Sequence, residues 1–152
     1  MAFKTITIKG DPVIGERKAA AAITPGFLLE LISTDKVQKH ATAGGSAYAM
    51  FALEDENQGK EIGDAYVTDN VCLFGMFSPG DEVNALLANG ETADIGSKLE
   101  SNGDGYLRVV DADVSVGDLG IQSIVCIALA ALDMSDSSGA DPASQRIRCM
   151  VI

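Results

Sequence analysis

The chain has no tryptophan, and aromatic residues make up only 5% of its 152 positions. A core must therefore be assembled from Val, Ile, Leu, Ala and Met, with Phe3, Phe27, Phe51, Phe74 and Phe77 as its large pieces. Few rings are left over to stack a sugar substrate. Histidine occurs once, as His40, and the three cysteines, Cys72, Cys126 and Cys149, are far apart with no CxxC pair. That excludes a zinc site built on paired ligands. An odd number of cysteines between apolar neighbours reads as buried free thiols in a reducing compartment. Cations are scarce too: 11 Lys and Arg stand against 22 Asp and Glu, for a net charge of −11. Nucleic-acid binding, which needs clustered cations to displace counterions, is not expected. Nor is a membrane span: the longest apolar run, Ile124–Leu132, has nine residues, whereas a helix needs about 20 to cross. Met1-Ala2-Phe3-Lys4 leads into an alternating strand, not into the apolar stretch of a secretory leader.

What the chain does have is turns. Pro79-Gly80-Asp81, Asn89-Gly90, Gly96 and Asn102-Gly103-Asp104-Gly105 divide short apolar runs. Such residues preset a turn or accept positive φ, so the chain must reverse about every ten residues. A length of this order suffices for one domain. The spacing predicts a mainly β fold, a compact antiparallel barrel or sandwich with at most short helical turns.

Residues 3–9 alternate with period two, placing Ile6 and Ile8 on one face. Residues 11–24 show no sustained period. Residues 1–24 are therefore expected to form an N-terminal arm, a short strand on a tether, and residues 25–152 a β-barrel body. Charge divides similarly: residues 1–40 carry six cations and four acids, the remainder five and eighteen. Thr24-Pro25-Gly26 opens the body as a turn, and Phe27–Ile32 and Val37–Ala41 flank a candidate hairpin. Val83, Leu86 and Leu87 fall at i, i+3, i+4, which predicts a helical turn over Val83–Ala88. Residues 121–132 fit helix or strand, being apolar all round after Ser123; the β-branched Ile124, Val125 and Ile127 favour a strand, central and buried on both faces. Arg146–Ile152 alternates as a strand, and residues 133–145 form a loop before it.

No catalytic or metal constellation emerges, and no cofactor is expected. Asp55-Glu56-Asn57-Gln58-Gly59 begins like a calcium loop, but Tyr66 stands where the closing Glu belongs. Gly44-Gly45-Ser46-Ala47 lacks the second glycine of a nucleophile elbow. Gly103-Asp104-Gly105 lacks a phosphate cradle's further glycine, and Lys60 and Lys98 do not sit as carrier lysines would. The alternative to a structural role is a small β-barrel enzyme or carrier using His40, Cys72 or an acidic pair.

Several segments resemble the decoration, or cement, proteins of tailed-bacteriophage capsids. They are Thr24-Pro25-Gly26-Phe27-Leu28-Leu29-Glu30, Val37–Gly45, Met50–Asp55 with Gln58-Gly59-Lys60, Tyr66, Pro79–Leu87, Gly96–Ser101, Gly103–Leu107, Ile127–Asp133 and Arg146–Ile152. The similarity covers about residues 23–152 as a string of turn and strand patterns. The resemblance implies a non-enzymatic, β-tulip-like protein made in the host cytoplasm. It would bind the outer capsid surface as homotrimers, bridge major capsid protein subunits, and touch neither nucleic acid nor membrane. It also implies docking through a terminal arm, carried here by position onto Phe3, Lys4, Thr5, Ile6, Thr7, Ile8, Arg17 and Lys18. Backbone pairing would then supply attraction and Ile6 and Ile8 would fill pockets, repeated over a lattice for avidity.

Overall fold

A computed structural model describes residues 3–110, 123–135 and 144–152. Among them the regular structure is thirteen short strands and one turn of 3-10 helix, Glu56–Gln58. The strands are β1 (Thr7–Lys9), β2 (Val13–Ala19), β3 (Leu29–Ile32), β4 (Lys36–Lys39), β5 (Met50–Ala52), β6 (Val71–Met76) and β7 (Glu82–Leu86). Then follow β8 (Thr92–Ala93), β9 (Lys98–Ser101), β10 (Leu107–Val109), β11 (Ile124–Ala128), β12 (Leu132–Asp133) and β13 (Arg146–Val151). They build a six-stranded sheet, β1-β7-β13-β11-β9-β10, a five-stranded sheet, β3-β4-β2-β6-β5, and the pair β12-β8. The strand ladders are antiparallel except a short parallel contact of β2 with β4, and an isolated bridge from Leu87 to Leu107 is also parallel.

The architecture is an open sandwich. The five-stranded sheet curls until its two edges approach, where Leu28 bridges Phe51 and the Ala52 N–H donates to the Phe27 carbonyl at 3.0 Å. The edges separate beyond that point and the sheet does not close.

Two apolar cores share strands β5 and β7. Phe51 points into the larger core with Val83, Ala85 and Leu87, while Met50, Ala52 and Leu86 point into the second. Both strands are therefore buried on both faces along their whole length. This overturns the helical turn expected over Val83–Ala88: the fully buried run pairs with β1 and β13. Ala85, Leu86 and Leu87 are apolar at successive positions because they face the two cores in turn, so the i, i+3, i+4 match is incidental. The strand reading of residues 124–132 holds for Ile124–Ala128, which lies between β13 and β9; the chain then bends before β12. The hairpin Leu29–Ile32/Lys36–Lys39 and the strand Arg146–Val151 form as expected. Most of the loop expected at residues 133–145 lies outside the described residues.

Residues 3–24 do not stand apart from the body, which corrects the tethered strand expected there. β1 pairs with β7 at the edge of the larger sheet. β2 lies inside the other sheet, matched residue for residue with β6 from Val13 to Lys18. Ile6 is 0% exposed within the larger core, and Ala19 and Ile23 are equally buried in the second. The signal was missing because β2 is open to solvent along most of its length, with no buried side for alternation to mark.

Candidate functional site

Where the edges of β3 and β5 separate, they leave an apolar groove of about 350 Å³. Leu29 and Leu31 of β3 form one wall, Met50 and Met76 the other, with Tyr48 at the mouth. Tyr48 is 80% and Leu31 58% exposed, and Val13, the register partner of Met76, is 72% exposed. Glu30 brings a carboxylate to the lining, and Gln38 Nε2 holds it at 2.6 Å. Exposed large apolar side chains clustered at a strand edge mark a contact surface more than a chemical one.

His40, at the inner end of the groove, is buried. Its Nε2 lies 3.2 Å from the Ser46 carbonyl and 3.7 Å from Glu30 Oε2, and its Nδ1 lies 2.7 Å from Ser101 Oγ. A carbonyl only accepts, so Nε2 carries a hydrogen, and in the neutral ring Nδ1 then accepts from the serine hydroxyl. Ser101 Oγ in turn accepts from the Gly103 N–H at 3.1 Å. The constellation has the residue types of a serine–histidine–carboxylate site without its geometry. Ser101 is 0% exposed, and a nucleophilic hydroxyl must face its substrate. Because His40 follows β4 and Ser101 ends β9, the pair clasps one sheet to the other.

Cys72, the other residue singled out for chemistry, is fully buried with its thiol directed at the Leu73 carbonyl. Burial pushes that thiol up to about 12, so a reactive thiolate is scarce there. Among the described residues, no group of three or more His, Cys, Asp or Glu side chains could hold a metal ion.

The residues expected to dock on a shell are distributed over the body. Phe3 is partly exposed with the Arg148 guanidinium 5.7 Å above its ring. Arg148 in turn places Nε and Nη2 on Glu82 Oε2, at 2.8 and 2.6 Å. Lys4 and Thr5 are exposed, Thr7 and Ile8 half-buried. Ile6 is withdrawn into the core, and its N–H donates to Glu54 Oε2 at 3.1 Å. Arg17 pairs with Asp35 at 2.9 Å, and Lys18 is exposed beside Lys36.

Sequence reasoning missed Arg146. Its Nη1 donates to the Pro25 carbonyl at 2.6 Å and its Nη2 to the Ile62 carbonyl at 2.7 Å, holding two loops against β13. Burial lowers its pKa, and the Glu54 charge opposes that shift. An alternating Arg-Ile-Arg strand gave no sign of which arginine turns inward.

The molecule is thus an open, mainly β sandwich carrying an apolar groove between two strand edges. No protein-family model matches the chain, and no curated protein matches it in sequence. Among solved structures its fold is similar to that of the head fiber gp8.5 N base of bacteriophage phi29. That likeness has a TM-score of 0.58 at 11% sequence identity and covers 92% of this chain and 93% of the other.

Proposed function

We propose that this protein is a non-enzymatic structural component of a bacteriophage head, bound to its outer surface. The observation that carries this reading is the end-to-end fold likeness to a phage head-fibre base. It joins the independent resemblance of residues 23–152 to capsid decoration proteins. The buried state of Ser101 and Cys72 supports a role in contact instead of catalysis.

The protein self-associates through the groove between β3 and β5, as a trimer, and its outward surface bridges major capsid protein subunits. The groove's occupant is a second copy, and charge determines where the two can meet. The chain carries −11, and like charges brought together cost affinity. Two copies therefore meet with least repulsion across the exposed Leu31 and Tyr48 and the half-buried Met76. Terminal-arm docking takes a narrower form: Phe3, Lys4 and Thr5 remain available at the surface, whereas Ile6 does not.

Electron microscopy of native heads, with mass spectrometry of the same particles, tests the reading. The expected result is density for this fold on the outside of the shell in stoichiometric amount. Absence of the chain from purified heads, or its location inside the shell, overturns the proposal.

A further inference from the structure

Cys126 of β11 and Cys149 of β13 stand on neighbouring antiparallel strands. Their register sets Cys126 opposite Val151 and Ala128 opposite Cys149. Opposed residues share a face of the sheet, as do residues two apart along a strand, so the two cysteines are diagonal neighbours on one face. Both are 0% exposed within the larger core, and both are free thiols. The Cys149 neighbour, together with burial, pushes the Cys126 thiol well above its ordinary range. The Cys149 thiol also points to the Val83 carbonyl at 3.6 Å. Cys72 is excluded from the group, lying on β6 of the other sheet in the second core.

We propose that Cys126 and Cys149 are a disulfide-forming pair, converted by a small-molecule disulfide into an internal bond that joins β11 to β13. The chemistry is two successive exchanges. One cysteine sulfur attacks the reagent's S–S bond, forms a mixed disulfide and releases one reagent thiol. The neighbouring sulfur then attacks the protein-bound sulfur and expels the second. The protein loses two electrons and two protons, and the reagent is reduced to two thiols. Adjacency makes the second step intramolecular, so it outruns addition of another reagent molecule. Burial makes the first step slow: each thiol is shielded, and Cys126 is held well above the ordinary thiol range by its neighbour and by burial. Diagonal neighbours stand about 7–8 Å apart, just beyond what a disulfide spans, so the bond forms when the strands open locally and shift toward each other, and it encloses the chain between the two positions.

The test uses the full chain and glutathione disulfide at mildly alkaline pH, in water and in urea below the unfolding transition. Titratable thiols are expected to fall from three to one. The intact mass should drop by two hydrogens, and a proteolytic map should join the Cys126 and Cys149 peptides, faster in urea than in water. The Cys72→Ala variant should form the same bond and retain no free thiol. Persistent glutathione adducts on Cys126 or Cys149, a bond to Cys72, or three free thiols after exposure in urea would each overturn the pairing.

Discussion

At the scale of single residues, two inward-turned charges set the stability of the loop region. The Arg146 guanidinium serves the carbonyls of Pro25 and Ile62. Gly26, at φ 96°, leaves it room: a Cβ built there would lie 2.3 Å from Nη1. Removing the guanidinium leaves buried acceptors unsatisfied, so Arg146→Met should cost about 3 kcal/mol in urea unfolding. Arg146→Lys should recover only part of this, because an ammonium cannot span two carbonyls with a planar fork. Glu54 is the second case. Burial raises its pKa above the ordinary 4.5, against the hydrogen bonds from its own backbone and the Ile6 N–H. The folded state thus binds this proton more tightly than the unfolded chain does. The stabilising effect is complete below the unfolded value and is lost as pH rises through the folded one. Glu54→Gln keeps an acceptor for Ile6 and removes the charge. It should therefore stabilise the protein at neutral pH, and the gain should shrink as pH falls toward 4.5, as thermal melts across that range would record.

At the scale of elements, the first strand decides whether residues 3–24 are a detachable arm or part of the body. Ile6 fills the larger core, whereas Phe3 lies at the surface beneath Arg148. Ile6→Ala should cost about 3 kcal/mol, as core truncations do. Phe3→Ala should cost about 1 kcal/mol or less, the scale of an exposed cation–π contact. Equal, small losses from both in chemical denaturation would return the segment to the status of an arm. The same strand shows what the sequence conveyed. Alternation announced β1 at residues 3–9 and β13 at the other end, and turn residues announced the hairpin of β3 and β4. Alternation appears only where one face of a strand is wet and the other dry. β7 is dry on both faces and β2 is wet along most of its length, so periodicity misled for the first and was silent for the second. The groove was hidden for a related reason. Leu31, Tyr48 and Met76 are far apart in sequence, and only the curl of the sheet that brings β3 toward β5 gathers them. The His40–Ser101 clasp joins residues sixty-one positions apart, beyond what any local motif encodes.

At the scale of the whole molecule, self-association has an unusual signature because its driving force and its opposition differ in kind. The proposed contact is apolar, around Leu31 and Tyr48, while each copy carries −11. Salt screens repulsion between the bodies, with a Debye length of about 10 Å at 0.1 M, and leaves apolar burial nearly unaffected. Association should therefore strengthen as salt rises, the reverse of an interface built on ion pairs. Light scattering on a sizing column should report a multiple of the 15.8 kDa chain mass that persists to lower protein concentration at higher salt. Leu31→Asp combined with Tyr48→Ser puts charge and polarity into the groove without touching either core. That variant should elute as a single chain at every salt concentration with an unchanged circular dichroism spectrum. An oligomer that survives the double substitution, or one that salt dissociates, would move the contact to the charged surfaces and remove the groove from the assembly.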